Sequence, residues 1–446
     1  MIGNTAKLQK KWPIVTADPL ELSSRIIDTG ESDEATNRLT HKLVEVDDKM
    51  ALVESFSHVV SFKTYEGLVC FDASGPRSGA KVVDELRGWS TDPINTLVYT
   101  HGHIDHVGGS GAFAADATHQ GNDLNVIGHE AVVPRFERYQ MTNAWNTSIN
   151  RRQFGGISTA AGLSVGDVDD FLPADAVWPT TQYQDDLNLS IGGLDIELHH
   201  DRGETDDHTW AWIPEHKALC VGDFVIWVFP NCGNPQKVQR YPKEWAAALR
   251  KMQAKNADLL FGAHGLPVRG AERINTVLGD MADALESLLL RTVEMMNGGY
   301  SLDAILQEIS VPDDMLMKPW MRPVYDEPEF VIRNIWRLYG GWWDQNPANL
   351  KPSPQAAIGA EMASLAGGAD VLANRALELV EAGDLRLACH LAEMAAAAEP
   401  ESRNVVAARA QVYQARRDSE FSLMSKGIFA AAANESKAVL EGDPDD

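Results

Sequence analysis

Residues 100–109 read THGHIDHVGG, three histidines and an aspartate within six positions. Imidazole and carboxylate are the side chains that suit zinc and similar divalent ions. The stretch follows NTLVYTH (95–101), an apolar strand. Alternation along a strand end throws His101 and His103 to one side, and the bend that follows presents Asp105 and His106 to the other. One short segment is thereby placed to serve two adjacent metal ions. Gly108 and Gly109 let the backbone turn tightly into a helix.

Working outward, KLVEV (42–46), ALVESF (51–56), HVVSFKT (58–64) and GLVCFDA (67–73) are short alternating or β-branched runs separated by turn residues, the pattern of a strand meander. SGAKVVDELRGW (78–89) has helical spacing, GAFAADA (111–117) reads as the next helix and LNVIG (124–128) as the next strand. Meander followed by β-α-β argues for a layered α/β sheet with helices outside. Residues 130–185 lose this rhythm and read as an insertion. Strands resume with LSIGGLDIELHH (189–200), a hairpin turning at Gly192-Gly193, then HTWAWIP (208–214) and ALCVGDF (218–224). YPKEWAAALRKMQ (241–253) is a helix and ADLLFGAHG (257–265) the last strand. Beyond about residue 272 the spacing of Ile274, Val277, Leu278, Met281, Leu285, Leu288 and Val293 is helical, and alanine-rich helices alternate with polar turns to the end. The expected organisation is an arm over 1–40, a catalytic unit over 41–272 with the insertion at 130–185, and a helical, tetratricopeptide-like domain over 273–446. The arm is expected to be loosely packed.

The formal charge is −25, from 39 Lys+Arg against 64 Asp+Glu. Such a surface repels phosphate backbones and anionic headgroups, so nucleic acid is not an expected partner. An anionic small substrate requires metal, Arg or Lys to reverse the field locally. Cys70, Cys220, Cys232 and Cys389 form no CxxC pair and suit free thiols in a reducing compartment. The first residues have no apolar core of a secretory signal, and no apolar run approaches the ~20 residues of a membrane span. A cytoplasmic protein without a membrane span is the expectation.

HxHxDH followed by two glycines resembles the signature of the metallo-β-lactamase fold, which implies an αββα sandwich. The resemblance implies further ligands in order. GETDDHT (203–209) would supply the third ligand of the first metal, Gly222-Asp223 a bridging carboxylate, and GAHG (262–265) His264 for the second metal. In the commonest family pattern the third-ligand slot falls on Glu204; in the alkylsulfatase branch it falls further along, on His208. His208 is the favoured ligand, because imidazole completes a His-rich zinc site, and Glu204 would then orient a ligand from behind. His199 and His200 are neighbours on a strand, so at most one points inward, and a surface role is favoured for both.

The resemblance to the alkylsulfatase branch extends from about residue 40 to 435. NIWRLYGGWWDQNPANL (334–350) and AGDLRLACHL (382–391) look like that family's dimerisation domain, and NTSINRRQFG (146–155) is similar to a family segment. This implies a homodimer built by the helical domain. Two departures stand out: no sterol-carrier-like third domain follows, and an all-histidine first site replaces the carboxylate of the sulfatases.

The implied function is a hydrolase holding two zinc ions through His101, His103, His208, Asp105, His106, Asp223 and His264. Two such metals share a hydroxide and clamp an ester. Asp223 would bridge them and Asp105 would hold the hydroxide, so these are the catalytic carboxylates; no GxSxG elbow is present. The substrate would be a small ester, anionic with an apolar tail, and sulfate esters are favoured over lactones, thioesters, carboxylic esters or β-lactams. Arginine forks match a sulfate group well, which points to Arg240, Arg202, Arg151 and Arg152. Asn231 and Asn234 follow the bridging Asp closely and are either donors to substrate or turn residues. The aromatics Trp336, Tyr339, Trp342 and Trp343 are either a pocket wall or packing, with packing favoured. A non-enzymatic helical scaffold is the remaining reading; the complete ligand set argues against it.

Overall fold

A computed structural model describes residues 17–154 and 170–442. The first sheet runs in chain order: β1 (Leu43–Glu45), β2 (Met50–Val53), β3 (Val59–Thr64), β4 (Gly67–Phe71), β5 (Ile94–Val98), β6 (Asn125–His129) and β7 (Thr181–Tyr183). Its first four strands are the expected antiparallel meander, and β4 to β7 pair in parallel. The second sheet comprises β8 (Asp186–Ile191), β9 (Leu194–His200), β10 (Thr209–Ile213), β11 (Ala218–Gly222), β12 (Leu259–Gly262) and β13 (Val268–Arg269), ordered β13-β12-β11-β10-β9-β8. Gly192 and Gly193 turn the β8–β9 hairpin with φ of 52° and 86°, a left-handed pair that glycine adopts without strain.

The inner faces of the two sheets meet in one core, where Phe62, Phe71, Val98 and Ile127 pack with Leu198, Ala211, Cys220 and Phe261. Each fully buried Val, Leu or Phe of this kind contributes about 1.5–3 kcal/mol of transfer free energy. Helices cover the outer faces. α1 (Pro19–Thr29), α2 (Gly79–Trp89), α3 (Ile104–Val107), α4 (Ser110–Gln120), α5 (Val132–Met141) and α6 (Asn143–Phe154) precede the second sheet, and α7 (Pro242–Ala254) and α8 (Ala271–Asn297) follow its central strands. α2, α4 and α5 bury Val82, Leu86, Phe113 and Phe136 on the first sheet; α7 and α8 bury Trp245, Leu249, Leu278 and Leu285 on the second. This is the expected αββα sandwich.

The chain then continues in helices: α9 (Leu302–Glu308), α10 (Asp313–Met317), α11 (Pro328–Gly340), α12 (Pro347–Leu350), α13 (Gln355–Ala366), α14 (Ala369–Ala382), α15 (Leu385–Ala398), α16 (Arg403–Ser419) and α17 (Leu423–Glu441). α9 and α11 share the core of the second sheet through Ile305, Val331 and Ile335. α13 to α16 form small alanine-rich cores of their own. Among the described residues no single helix is long and apolar enough to cross a membrane.

Two expectations change. The described part of the arm is not loose: Asp18 caps α1, and Leu22 and Ile26 are buried in the core of the second sheet. Leu22 and Ile26, four apart after an Asp-Pro start, are a helix signal. The ends of the insertion are also built into the fold. β7 extends the first sheet, and α6 packs on α17 so closely that a Cβ on Gly427 would fall 1.8 Å from the Gln153 carbonyl oxygen. The middle of the insertion, 155–169, lies outside the described residues.

Candidate metal centre

The motif of residues 100–109 lies between β5 and α4. His101 and His103 precede the single turn α3, which carries Asp105 and His106. Gly109 is required here, because a Cβ would fall 2.1 Å from the Ala73 carbonyl oxygen. Asp223 follows β11 and His264 follows β12, neighbouring parallel strands of the other sheet. The seam between the sheets thus gathers side chains from four separate segments.

They fall into two groups. His101, His103, Glu204 and Asp223 form one, and Asp105, His106 and His264 the other, with the ligand atoms of each group within 4.8 Å of one another. Asp223 stands between them. Its Oδ2 lies 3.9 Å from His101 Nε2 and 3.4 Å from His106 Nε2, and its Oδ1 lies 3.5 Å from His264 Nε2. Asp105 Oδ2 is 3.3 Å from His264 Nε2 and 3.6 Å from His106 Nε2.

The first group holds Glu204, the alternative third ligand of the sequence reading, and not the favoured His208. His208 is buried next to the site, with its ring stacked on Phe224, but its Nε2 accepts the Asp223 backbone N–H at 3.2 Å and it is not one of the grouped donors. Glu204 takes that place. The reason is geometric: His208 leads into β10 and is held by that strand's register, whereas Glu204 lies in the irregular 201–207 loop and is free to turn inward. With Glu204 as a ligand the first site would contain a carboxylate. His199 and His200 belong to neither group; His199 pairs with Asp186 at 2.5 Å, and His200 stacks on His129 and bonds the Asp206 carbonyl.

Glu204 is fully engaged on one side. Arg240 Nη1 lies 2.6 Å from its Oε1 and Asn231 Nδ2 donates to the same oxygen, while Arg240 Nη1 also bonds the Glu204 carbonyl at 2.7 Å. Arg240 and Asn231, expected to touch substrate, therefore line the cavity but spend these donors on Glu204. Arg202 is exposed over the Tyr241 ring and does not line the cavity, Arg151 is exposed as well, and Arg152 bonds Gln236. Trp336 is buried in the shared core, Tyr339 and Trp342 are exposed, and none of the 334–343 aromatics lines the cavity.

Three supporting residues went unnoticed in the sequence. Asp72, at the end of β4, accepts His106 Nδ1 at 2.8 Å and takes two further bonds from the Thr100 N–H and hydroxyl. Asp207 accepts the Gly102 N–H at 2.9 Å and pairs with buried Arg135 at 2.8 Å, fixing the loop between His101 and His103. His58 bonds the Gly265 carbonyl at 2.6 Å and so holds the turn after His264. A carboxylate at a strand end has no spacing that marks it, so Asp72 carried no signal beyond its place after GLVCF.

Burial pushes the His101 and His103 pKa values well below the usual range, and the neighbouring imidazoles and Arg135 push the same way. Both rings are therefore neutral donors. Burial opposes the charged forms of His106 and His264 too, but Asp223 and Asp105 overcome it and raise both. Burial would raise Asp223, yet His106 and His264 hold it low, so it stays ionised.

The donor set fits divalent cations. His106 Nε2, Glu204 Oε2 and Asp223 Oδ1 are buried with no hydrogen-bond partner among the described residues. Buried polar atoms without partners need an explanation, and ligation provides it. A cavity of about 1280 Å³ opens onto both groups. Its wall is largely apolar, including Phe56, Tyr139, Trp145, Phe154, Trp227 and Tyr325, so the helical region contributes to it as well.

Comparison with known proteins finds two family profiles and several relatives. The metallo-beta-lactamase superfamily profile matches residues 55–264, and the alkyl sulfatase dimerisation profile matches residues 301–438. A linear primary-alkylsulfatase of a Pseudomonas species is 25% identical over 392 residues, covering 85% of this chain and 74% of that protein. An (R)-specific secondary-alkylsulfatase of Pseudomonas is 26% identical, covering 72% of this chain and 51% of that protein. An alkyl/aryl-sulfatase of Saccharomyces cerevisiae is 25% identical, covering 78% and 54%. The chain thus spans about half the length of these last two relatives. The solved stereoselective inverting sec-alkylsulfatase of a Pseudomonas species superposes with a TM-score of 0.77 at 23% identity, covering 91% of this chain and 66% of that one. Residues 55–264 thus match the metallo-beta-lactamase superfamily and residues 301–438 the alkyl sulfatase dimerisation domain, and across both the chain is similar to alkylsulfatases.

Proposed function

We propose that this chain hydrolyses sulfate esters at a centre of two divalent metal ions, zinc being the ion that best suits its imidazole and carboxylate donors. The observation that carries the reading is the position of Asp223 between two donor groups at the inner end of a largely apolar cavity. His101, His103 and Glu204 would hold one ion, Asp105, His106 and His264 the other, with Asp223 shared. When bound, such a pair lowers the pKa of water and neutralises charge on the ester. Glu204 is aligned by Arg240 and Asn231, and His106 by Asp72, so the donors are set before any ion or substrate arrives. The apolar wall suits an alkyl or aryl tail, which orients the ester with its polar end toward Asp223.

The match to the alkyl sulfatase dimerisation profile supports a homodimer, and exposed Tyr339 and Trp342 lie within that matched region. The four free cysteines support a reducing, cytoplasmic setting.

The test is a substrate panel with the metal-replete protein: primary and secondary alkyl sulfates against a lactone, a thioester and a carboxylic ester of matched chain length. Release of inorganic sulfate is expected. Hydrolysis of the carboxylic substrates with no sulfate release from either alkyl sulfate would overturn the assignment.

A further inference from the structure

Six cations line the cavity, Arg135, Arg138, Lys237, Arg240, Arg322 and Arg337, and two of them are paired with carboxylates. Arg135 is paired with Asp206 and Asp207, Arg240 with Glu204, and Arg337 bonds Gln239 at 3.0 Å. The Arg138 guanidinium lies over the Tyr139 ring. Lys237 differs. Its Nζ donates to a neutral acceptor, Asn150 Oδ1, at 2.8 Å, and no carboxylate among the described residues pairs with it, although the field of Asp105 reaches it. Burial lowers its pKa to about 8, which leaves it mostly protonated at neutral pH.

Lys237 sits on a built turn. Its N–H bonds the Asn234 carbonyl at 3.3 Å, and Asn234 Oδ1 accepts the Gln236 N–H at 3.1 Å. With that oxygen used, the Asn234 side chain offers its Nδ2, which is buried and has no partner among the described residues. The turn is fastened to α6 through Gln236, which accepts from Arg152 at 3.0 Å and donates to the Ile149 carbonyl at 3.2 Å. Both Asn234 and Lys237 line the same cavity as the two metal-binding groups.

We propose that Lys237, with Asn234 beside it, is the anion-recognition element of this cavity: it selects an ester that carries negative charge and binds the peripheral oxygens of its sulfonate group. This rests on the sulfate-ester reading above and deepens it. A chain of formal charge −25 needs a local cation to admit such a substrate; of the cavity cations without a carboxylate partner among the described residues, Arg322 and Arg337 are exposed and Arg138 is stacked on Tyr139, whereas Lys237 is desolvated within the cavity wall. Arg152, grouped in the sequence reading with possible sulfate contacts, acts one step back by holding the turn.

The test separates charge recognition from catalysis by using ligands that are not hydrolysed. Binding of octanesulfonate and of uncharged octyl methyl sulfone to the metal-replete protein is measured by calorimetry for the wild type, Lys237→Met and Lys237→Arg. Lys237→Met should weaken octanesulfonate by about tenfold or more and the sulfone by less than about twofold, and Lys237→Arg should stay within about threefold of wild type. Equal binding of the sulfonate by wild type and Lys237→Met, parallel loss of both ligands, or no sulfonate binding by the wild type would overturn the proposal. If Lys237→Met fails to fold, Asn234→Ala replaces it, with about a threefold or greater selective loss of sulfonate binding expected. Sulfonate binding through Lys237 without sulfate release from any alkyl sulfate would leave this assignment standing and overturn the hydrolytic one.

Discussion

The Asp72 carboxylate accepts a hydrogen bond from His106 Nδ1 at 2.8 Å, which fixes the tautomer and leaves Nε2, buried and unpartnered, as the ring's ligating atom. Asp72 itself adopts φ of +61°, an uncommon backbone for a residue other than glycine. The bond recurs in the physics of metal sites: an outer carboxylate orients the imidazole and raises its basicity. Asp72→Ala should therefore lower metal affinity by about 10–100-fold, read by chelator competition. Unchanged affinity would show that Asp72 only supports the strand end.

Glu204 and His208 give opposite outcomes on the same assay. Glu204→Gln removes a charged donor from the first group and leaves Arg240 buried beside a neutral amide, so metal content should fall by about one ion per chain. His208→Gln should retain its metal, because His208 supports the Asp223 backbone instead of belonging to the donor group. Loss of metal in the His208 variant alone would restore the sequence reading.

Arg135 is buried and spans Asp206 and Asp207, and Asp207 in turn holds the Gly102 N–H. Removing one partner of a buried pair leaves an uncompensated charge. Arg135→Ala is expected to cost about 3–5 kcal/mol in unfolding free energy and to lower the melting temperature. A loss below about 1 kcal/mol, typical of an exposed pair, would contradict the buried pairing.

His58 gives the acid dependence. Burial, with help from His264, lowers its pKa to about 4, below the ordinary 6.5 of an unfolded chain. The folded state therefore refuses a proton that the unfolded state accepts. The contribution of neutral His58 is complete above pH 6.5 and is lost as pH falls toward 4. Between those limits the wild type should lose up to about 3 kcal/mol more stability than His58→Gln, measured by denaturant unfolding against pH. Parallel pH profiles would contradict the buried, neutral assignment.

The sequence was most readable where donors are close together. His101, His103, Asp105 and His106 announce themselves because four donors in six residues have few other uses, and the strand before them and the helix after them follow from local pattern. Asp223 and His264 are each a single residue after a strand, and only family resemblance singled them out. The choice between Glu204 and His208 depends on the path of the 201–207 loop, where neither strand nor helix periodicity applies. Arg240 and Asn231 line the cavity, but their partner Glu204 was not visible, since a buried arginine facing a carboxylate and one facing substrate have the same sequence. Lys237 illustrates the same limit: its meaning comes from the carboxylates that do not reach it. α1 carried an Asp-Pro start and a helical spacing that outweigh its polar composition.

In the proposed reading the donors around Asp223 would hold two ions that support sulfate ester hydrolysis. Titration of the metal-stripped protein with zinc, following inorganic sulfate release from a primary alkyl sulfate, tests it most directly. Activity should be absent without metal and should reach its plateau at about two ions per chain. A plateau at about one ion per chain, or full activity in the stripped protein, would contradict it.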